Sequence, residues 1–569
     1  MIKLMIDGES VLAEEGTTIL EAARKLNVSI PTLCHHEDQS IKAVCRICVV
    51  EVEGQTLLPT ACNTPVADGM IVRTASPKVL KARKNIMELI LARHPQNCLI
   101  CSKNGSCELQ KTAQDLNLNQ DNRYQLQDRK VTADTSSPSL VRDMSKCILC
   151  GRCTEMCGQI QDIGVMAKEN RGFHTVIVPP YGKKLTDTTC VNCGQCVQVC
   201  PVGALSIKDD TQKIYDSISA GKTMVIQMAP SVRITLAESL GAKPGSVTTG
   251  KIIHALKKIG FDKVFDSDFS ADLTIMEEGS EFLKRLKEGG TLPLITSCCP
   301  AWVKYCETYA PDFTNHLSTA KSPQQMFGSV IKHIFAVNEN VPKENLCSVS
   351  VMPCTAKKFE CQRPEMKDDV DIVITVQELA KMIRTAGIDF DNLEDVPFDA
   401  PFGLGSGAAQ IFGITGGVME AALRTVYEVV TGENLELLDF HQVRGFEGLK
   451  EATVQVGDLE VKVAVVHGLS NAKQLLKRMR DGQADYHFIE VMSCPGGCIG
   501  GGGNAPTTKK KLQARRDAIY REDQNLPIRK SHENPYVMKL YKDYLGEPLS
   551  ERSHQLLHTQ YISRRDLLR

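Results

Sequence analysis

Apolar and polar positions alternate through residues 2–14 on either side of Asp7-Gly8, the pattern of two short strands joined by a tight hairpin. Thr17 or Thr18 then stands where a side-chain oxygen can cap a helix bearing Ile19, Leu20, Ala23 and Leu26. From residue 108 to 143 the chain is mostly polar and weakly periodic, which predicts a connector with one helix. Beyond Thr211 the texture changes. Strand-like runs at 223–228, 292–296, 347–352 and 461–466 alternate with helical periodicity at 280–287, 376–384 and 471–479, predicting a large α/β region whose sheets are covered by helices. Residues 509–569 hold 14 Lys plus Arg against 8 Asp plus Glu and few long apolar stripes, the pattern of a charged helical tail on the main body. No window approaches eighteen consecutive apolar residues, so no membrane span is expected.

The 569 residues are 42% hydrophobic, enough for several folding units. Lys plus Arg number 67 against 68 Asp plus Glu, so no net field favours nucleic acid or anionic lipid. Cysteine changes the picture: 15 of the 23 fall between Cys34 and Cys200, a density that points to metal. The start shows no basic segment followed by an apolar run, and the expected location is cytoplasmic.

Cys147-x2-Cys150-x2-Cys153-x3-Cys157 recurs as Cys190-x2-Cys193-x2-Cys196-x3-Cys200-Pro201, an offset of 43 residues that implies a duplicated, pseudo-twofold unit. This is the bacterial-ferredoxin spacing for two [4Fe–4S] clusters, in which each fourth cysteine reaches across to the other cluster. Cys147, Cys150, Cys153 and Cys200 would hold one, and Cys190, Cys193, Cys196 and Cys157 its neighbour. Upstream, Cys34, Cys45, Cys48 and Cys62 suit a [2Fe–2S] cluster on the loops of a small ferredoxin-like domain. Between them, His94-x3-Cys98-x2-Cys101-x5-Cys107 offers one nitrogen and three sulfurs to a third, His-ligated [4Fe–4S] cluster. Structural zinc competes at each site, although its ligands usually come as two separated pairs. Four such clusters would form a chain along which electrons hop.

Three segments of the second half carry the remaining chemistry: Thr296-Ser-Cys-Cys-Pro-Ala-Trp302, Met352-Pro-Cys-Thr-Ala-Lys-Lys-Phe-Glu360, and residues 488–503, where Cys494-x3-Cys498 runs into four glycines. Glycines allow close backbone approach to a bulky group, and prolines restrict the turns beside ligands.

These segments resemble the three signature motifs of [FeFe] hydrogenases, and the N-terminal series resembles the larger members of that family. The resemblance implies reversible H2 oxidation and proton reduction at an H-cluster, a [4Fe–4S] cubane joined through one cysteine to a diiron azadithiolate unit with CO and cyanide ligands. By motif, Cys299, Cys354, Cys494 and Cys498 would ligate the cubane, Cys498 bridging to the diiron unit. Cys298 would pass protons through Glu278, Ser318 and Glu281, with Arg285 near the exit. A helix beginning around Glu277 would put both carboxyls on one face; outside the resemblance they read as a solvated face. Lys357 would donate to a cyanide; Pro230, Ser231 and Gln324 would help hold the other diatomic ligands; Met352 and Met492 would pack as soft apolar walls. Ala301, Ala356 and Asn504 depart from the family pattern without removing a ligand, and Cys306, Cys347 and Cys361 remain as buried or free thiols.

The implied fold is multidomain, α+β and α/β. A ubiquitin-like, plant-ferredoxin-like [2Fe–2S] domain is expected over 1–78, a [4Fe–4S] domain with one histidine and three cysteine ligands over 79–126, and a 2[4Fe–4S] ferredoxin domain over 127–210. A large α/β H-cluster domain follows over 211–508, then a helical C-terminal tail over 509–569. H2 and protons are the implied substrates, and proteins that mature the diiron site the implied assembly partners. The chain has no Rossmann glycine pattern in a strand-turn-helix setting, so any NAD(P) chemistry needs a flavin- or nucleotide-binding partner subunit, with free ferredoxin the other electron partner. The first two cluster sites also look like those of the electron-input chain of respiratory NADH dehydrogenase. A non-catalytic H2 sensor or an Fe–S assembly factor is the alternative.

Overall fold

A computed structural model describes residues 1–118, 123–124 and 131–568; the expected boundary between 126 and 127 lies outside them. At the N-terminus Asp7 (φ 49°) and Gly8 (φ 89°) both adopt the left-handed conformation that a two-residue turn between right-twisted strands requires. Across it Ile2–Ile6 and Glu9–Ala13 pair antiparallel. Ile71–Arg73 joins parallel to the first strand and Glu51–Val52 completes the four-stranded sheet. Thr18 caps the helix Ile19–Lys25 through reciprocal bonds with Glu21, sending Ile19, Leu20, Ala22 and Ala23 into a small core.

The 43-residue repeat is written into the backbone. Leu149 and Asn192 take φ of 57° and 60°, Gly151 and Gly194 take 77° and 71°, and each glycine opens a one-turn helix, Arg152–Glu155 or Gln195–Gln198. The strands Leu140–Arg142 and Leu205–Ile207 at the two ends of the unit pair antiparallel and close it.

Beyond it stand two four-stranded sheets. In the first, Lys263–Asp266, Thr223–Met228, Leu346–Met352 and Ile372–Thr375 lie in that order, all parallel and nearly all buried. In the second, Leu294–Ile295, Phe488–Met492 and Leu459–His467 are parallel, and Leu449–Val456 closes the edge antiparallel. Ligands in open α/β sheets sit outside the carboxyl ends of the strands. The cysteines of all three second-half motifs lie there, after Ile295, Met352 and Met492.

One expectation is corrected. The helix thought to begin around Glu277 spans Ser267–Glu288. Its start is fixed by Asp266, which accepts the Asp268 amide and is itself held by Arg233. The first half looked non-helical because Asp268, Ser270, Asp272 and Thr274 break the apolar period. All four are buried; Asp268 is held from outside by Arg233 and Asp272 by Ser406 and Asn534, while Ser270 and Thr274 bond back to carbonyls of their own helix. The strand expected over 292–296 shortens to Leu294–Ile295.

The tail packs as part of the body. Arg515 and Asp523 of the helix Lys509–Asn525 are fully buried, and Val537, Leu540, Leu556 and Leu557 share a core with Phe265, Phe269 and Phe327. Glu277 is the anchor: its buried carboxylate accepts from Tyr541 Oη (2.6 Å), Ser553 Oγ (2.8 Å) and the Leu549 N–H (2.9 Å), and meets His558 Nε2 at 2.9 Å. Glu277→Ala strands these groups at once, and a loss of about 3 kcal/mol or more is expected. Thermal unfolding of the holoprotein should reveal it, together with faster proteolysis within 535–568.

Candidate metal centre and proton path

A cavity of about 90 Å³ opens where the strand ends of the two sheets face each other. Cys299 is the N-cap of the helix Pro300–Tyr309, whose first residue needs no N–H donor, and the buried Trp302 indole bonds the Thr296 carbonyl at 3.2 Å to pin the turn. Cys354 follows the strand Leu346–Met352; Cys494 and Cys498 follow Phe488–Met492. Between those two, Gly497 (φ 94°) leaves no room for a side chain: a Cβ would lie 2.6 Å from the Thr415 nitrogen.

Cys299, Cys354, Cys494 and Cys498 all line this cavity, and none is in a disulfide. Burial, then Cys494, Cys299 and Cys498, push the Cys354 thiol well above its ordinary value; burial and Cys299 raise Cys494 to about 11. The raised thiols of Cys354, Cys494 and Cys498 stay protonated until a cationic group draws the protons off, which is how thiolate–metal sites load. The donor set therefore fits an iron–sulfur group. Pro230, Ser231, Gln324, Met352 and Met492 line the same cavity, and the buried Ser231 hydroxyl has no partner among the described residues. Gln324 Oε1 is held by Ser350 at 2.8 Å.

Lys357 and Cys298 complete the lining. Lys357 Nζ donates to Glu360 Oε2 (2.9 Å) and to the Cys298 carbonyl (3.1 Å). Burial works against its ammonium, but Glu360 more than offsets this and holds its pKa above the ordinary value. Burial, then Glu278 and Cys299, push the Cys298 thiol well above its ordinary value, so it stays a proton-bearing group.

Behind Cys298 lies a line of polar groups. Burial, then Glu281, lifts Glu278 to about 8, against a hydrogen bond with Ser318; its Oε2 is buried without a partner among the described residues. Ser318 Oγ donates to Glu281 Oε2 at 3.0 Å, and Glu281 Oε1 takes a bond from Arg285 Nη2 at 2.6 Å. Arg285 is half-buried and also holds the Leu317 carbonyl. The line thus runs from the cavity wall toward solvent.

The accessory cysteines gather in the same way. Cys153 is raised by burial and then by Cys200, Cys150 and Cys147; Cys196 by burial and then by Cys193, Cys190 and Cys157. The fourth cysteine of each run therefore stands with the other run. Cys48 and Cys62 sulfurs are 3.3 Å apart, and Cys34 bonds Cys45. Cys107 is raised by burial and then by Cys101 and Cys98, and a Cβ on Gly203 would stand 2.6 Å from Cys101 Sγ, which packs this group against the ferredoxin unit. The His94 ring bonds the Lys146 backbone while its Nδ1 is buried with no partner among the described residues.

At the seam between the ferredoxin unit and the cavity, Cys193 lies in electrostatic reach of Cys494. Thr355 Oγ1 donates to the Asn192 carbonyl (2.6 Å), Gln195 to Gly500 (2.9 Å), Gln198 to Asn504 (2.7 Å) and Gln161 to Ser493 (2.9 Å). A Cβ on Gly502 would come 2.5 Å from the Cys193 carbonyl, and one on Gly194 would come 3.1 Å from Gly502 Cα. Sequence reasoning missed Glu360 and these glutamines. The i, i+3 spacing of Lys357 and Glu360 was a usable signal; the glutamines carried none.

Matches to known families run the length of the chain. Residues 1–77 match a 2Fe-2S iron-sulfur cluster binding domain, 83–121 an NADH-ubiquinone oxidoreductase-G iron-sulfur binding region and 129–210 a 4Fe-4S dicluster domain. Residues 222–502 match the iron only hydrogenase large subunit, C-terminal domain, and 509–564 the iron hydrogenase small subunit. The chain is 50% identical to the NADP-reducing hydrogenase subunit HndD of Solidesulfovibrio fructosivorans over the whole of both, and 41% identical to iron hydrogenase 1 of Clostridium pasteurianum over 99% of this chain and 100% of that one. Protein NAR1 of Arabidopsis thaliana is 30% identical over 66% of this chain and 86% of its own. A solved [FeFe]-hydrogenase from Chlamydomonas reinhardtii superposes with a TM-score of 0.57 at 39% identity, covering 63% of this chain and 99% of that chain. The chain belongs to the iron-only, or [FeFe], hydrogenase family.

Proposed function

We propose that this hydrogenase is the hydrogen-converting subunit of an NAD(P)-linked complex, working in the cytoplasm. Its electrons would pass along one [2Fe–2S] and three [4Fe–4S] clusters, one of them ligated by His94, to an H-cluster held by Cys299, Cys354, Cys494 and Cys498. What carries the reading is the convergence of four free thiols, Cys298 and the Glu278–Arg285 line on one cavity that Cys193 approaches from outside. The NAD(P) link is supported by the name of the relative 50% identical along its full length. The nucleotide and flavin would belong to a partner subunit. The proposed units are 1–78, 79–126, 127–210, 211–508 and 509–569.

When bound by Cys299, Cys354, Cys494 and Cys498, the H-cluster would supply the two-electron redox chemistry. The chain supplies the rest. Cys298 moves a proton at its Sγ, Glu278 exchanges it, and the Ser318 hydroxyl hands it to Glu281, which the Arg285 guanidinium keeps in place. Lys357, fixed by Glu360, presents a cation to an anionic ligand. Met352 and Met492 keep water from the cavity.

The first test is an anaerobic infrared spectrum of the matured protein before and after H2. CO and cyanide bands that shift under H2 are expected; their absence after complete maturation overturns the reading in favour of an assembly scaffold. Cys298→Ala should leave iron content unchanged and lower H2 turnover about 100-fold or more. His94→Ala should alter the electron paramagnetic resonance of one accessory cluster and leave the infrared bands as they were.

A further inference from the structure

On the helix Pro300–Tyr309, which starts at Cys299, Lys304 is 7% exposed, and its ammonium makes no ion pair or hydrogen bond among the described residues. Its Nζ lies 4.5 Å from the centre of the Phe359 ring. The nearest carboxylate is committed elsewhere: Glu307, fully buried, accepts two bonds from Arg363 (2.6 and 3.1 Å) and one from Arg564 Nε (2.8 Å). Glu365 also pairs with Arg363 at 2.7 Å. Three cations, Lys304, Arg363 and Arg564, thus face two anions, Glu307 and Glu365. The group left for Lys304 is Cys190: burial raises that thiol, and the Lys304 charge is within electrostatic reach and works against it. The same helix reaches that loop through Tyr309 Oη, which bonds Thr189 Oγ1 at 2.7 Å. A buried, unpaired cation is costly unless an anion compensates it. A cubane on four thiolates is such an anion.

We propose that Lys304 is the built-in counter-charge of the cluster on Cys157, Cys190, Cys193 and Cys196, and that it raises that cluster's reduction potential. The inference rests on those four cysteines holding a [4Fe–4S] cluster. Reduction adds one electron, taken from the preceding cluster or from an external reductant, and makes the cluster one unit more negative. A fixed cation at its edge, with Phe359 in place of water on another side, stabilises the reduced form more than the oxidised one. The charge of Lys304, not its titration, does this. The site is the last relay before the catalytic cavity, so a higher potential there lets the relay hold an electron ready for the cavity.

The test is a redox titration of the matured full chain followed by electron paramagnetic resonance, comparing the parent with Lys304→Met, Lys304→Gln and Lys304→Arg. The signal concerned is the one missing from a Cys190→Ala reference. With Met or Gln this signal should appear only at more negative potentials while the other clusters titrate unchanged, and Arg should restore the parent value. Fully loaded Met and Gln variants that titrate with the parent overturn the proposal. If the neutral variants load less iron, Arg decides: parental loading and potential support the counter-charge, and a deficit with Arg too overturns it. Iron and sulfide content of the parent tests the cluster assignment separately.

Discussion

At Gly194 and Gly502 the two halves of the chain meet backbone to backbone, with no space for even a methyl group between them. Electron transfer falls off steeply with distance, so everything else in the molecule serves this contact. It requires the left-handed turn that opens the helix Gln195–Gln198, and it requires the glycines after Cys498. Gln161, Gln195, Gln198 and Thr355 then bond across the seam to backbone carbonyls, which fixes the approach without inserting bulk. The duplicated ferredoxin unit and the two-sheet body also share a core here, where Val191 packs with Trp302 and Ile489.

Around the seam the interior is unusually rich in charge. Lys357 is held by Glu360, Lys358 by Asp210 and Glu378, Arg233 by Asp266 and Asp268, and Arg424 by Glu420 and Asp523. Such pairs add little net stability beside an apolar packing of the same volume. What they contribute is position, because each buried charge has one place where its partner is. Glu278 stands outside these pairs: one of its carboxyl oxygens is buried without a partner among the described residues, and burial keeps it protonated near neutrality. In the proposed proton path, that lack of commitment lets it take up and release a proton.

The sequence made the local features legible. The Asp7-Gly8 turn, the Thr18 cap and the 43-residue cysteine repeat are decided by neighbours along the chain, so their residues announce them. The thiols of the cavity were legible because Cys-Cys-Pro and Cys-x3-Cys-Ile-Gly have few other uses. The start of the helix Ser267–Glu288 was hidden, since Asp268 and Asp272 are buried by partners more than thirty residues away and so break the apolar rhythm that marks a helix. The pairing of Phe488–Met492 between Leu294–Ile295 and Leu459–His467 was equally hidden, being fixed by packing across nearly two hundred residues. Gln195 and Gln198 look like surface residues in sequence and become seam residues only when the halves come together.

Glu277 lies one residue before Glu278 in the helix that backs the cavity, yet the groups that satisfy it come from Tyr541, Leu549, Ser553 and His558. A ribosome makes the acceptor long before it makes any of these donors. Until residues 541–558 exist, a carboxylate at the heart of the body has only water to answer it, and the helix carrying the relay is not yet latched. The order of synthesis is therefore also the order of closure: the cluster-binding units can form first, and the cavity wall is sealed by residues made at least 264 positions after Glu277.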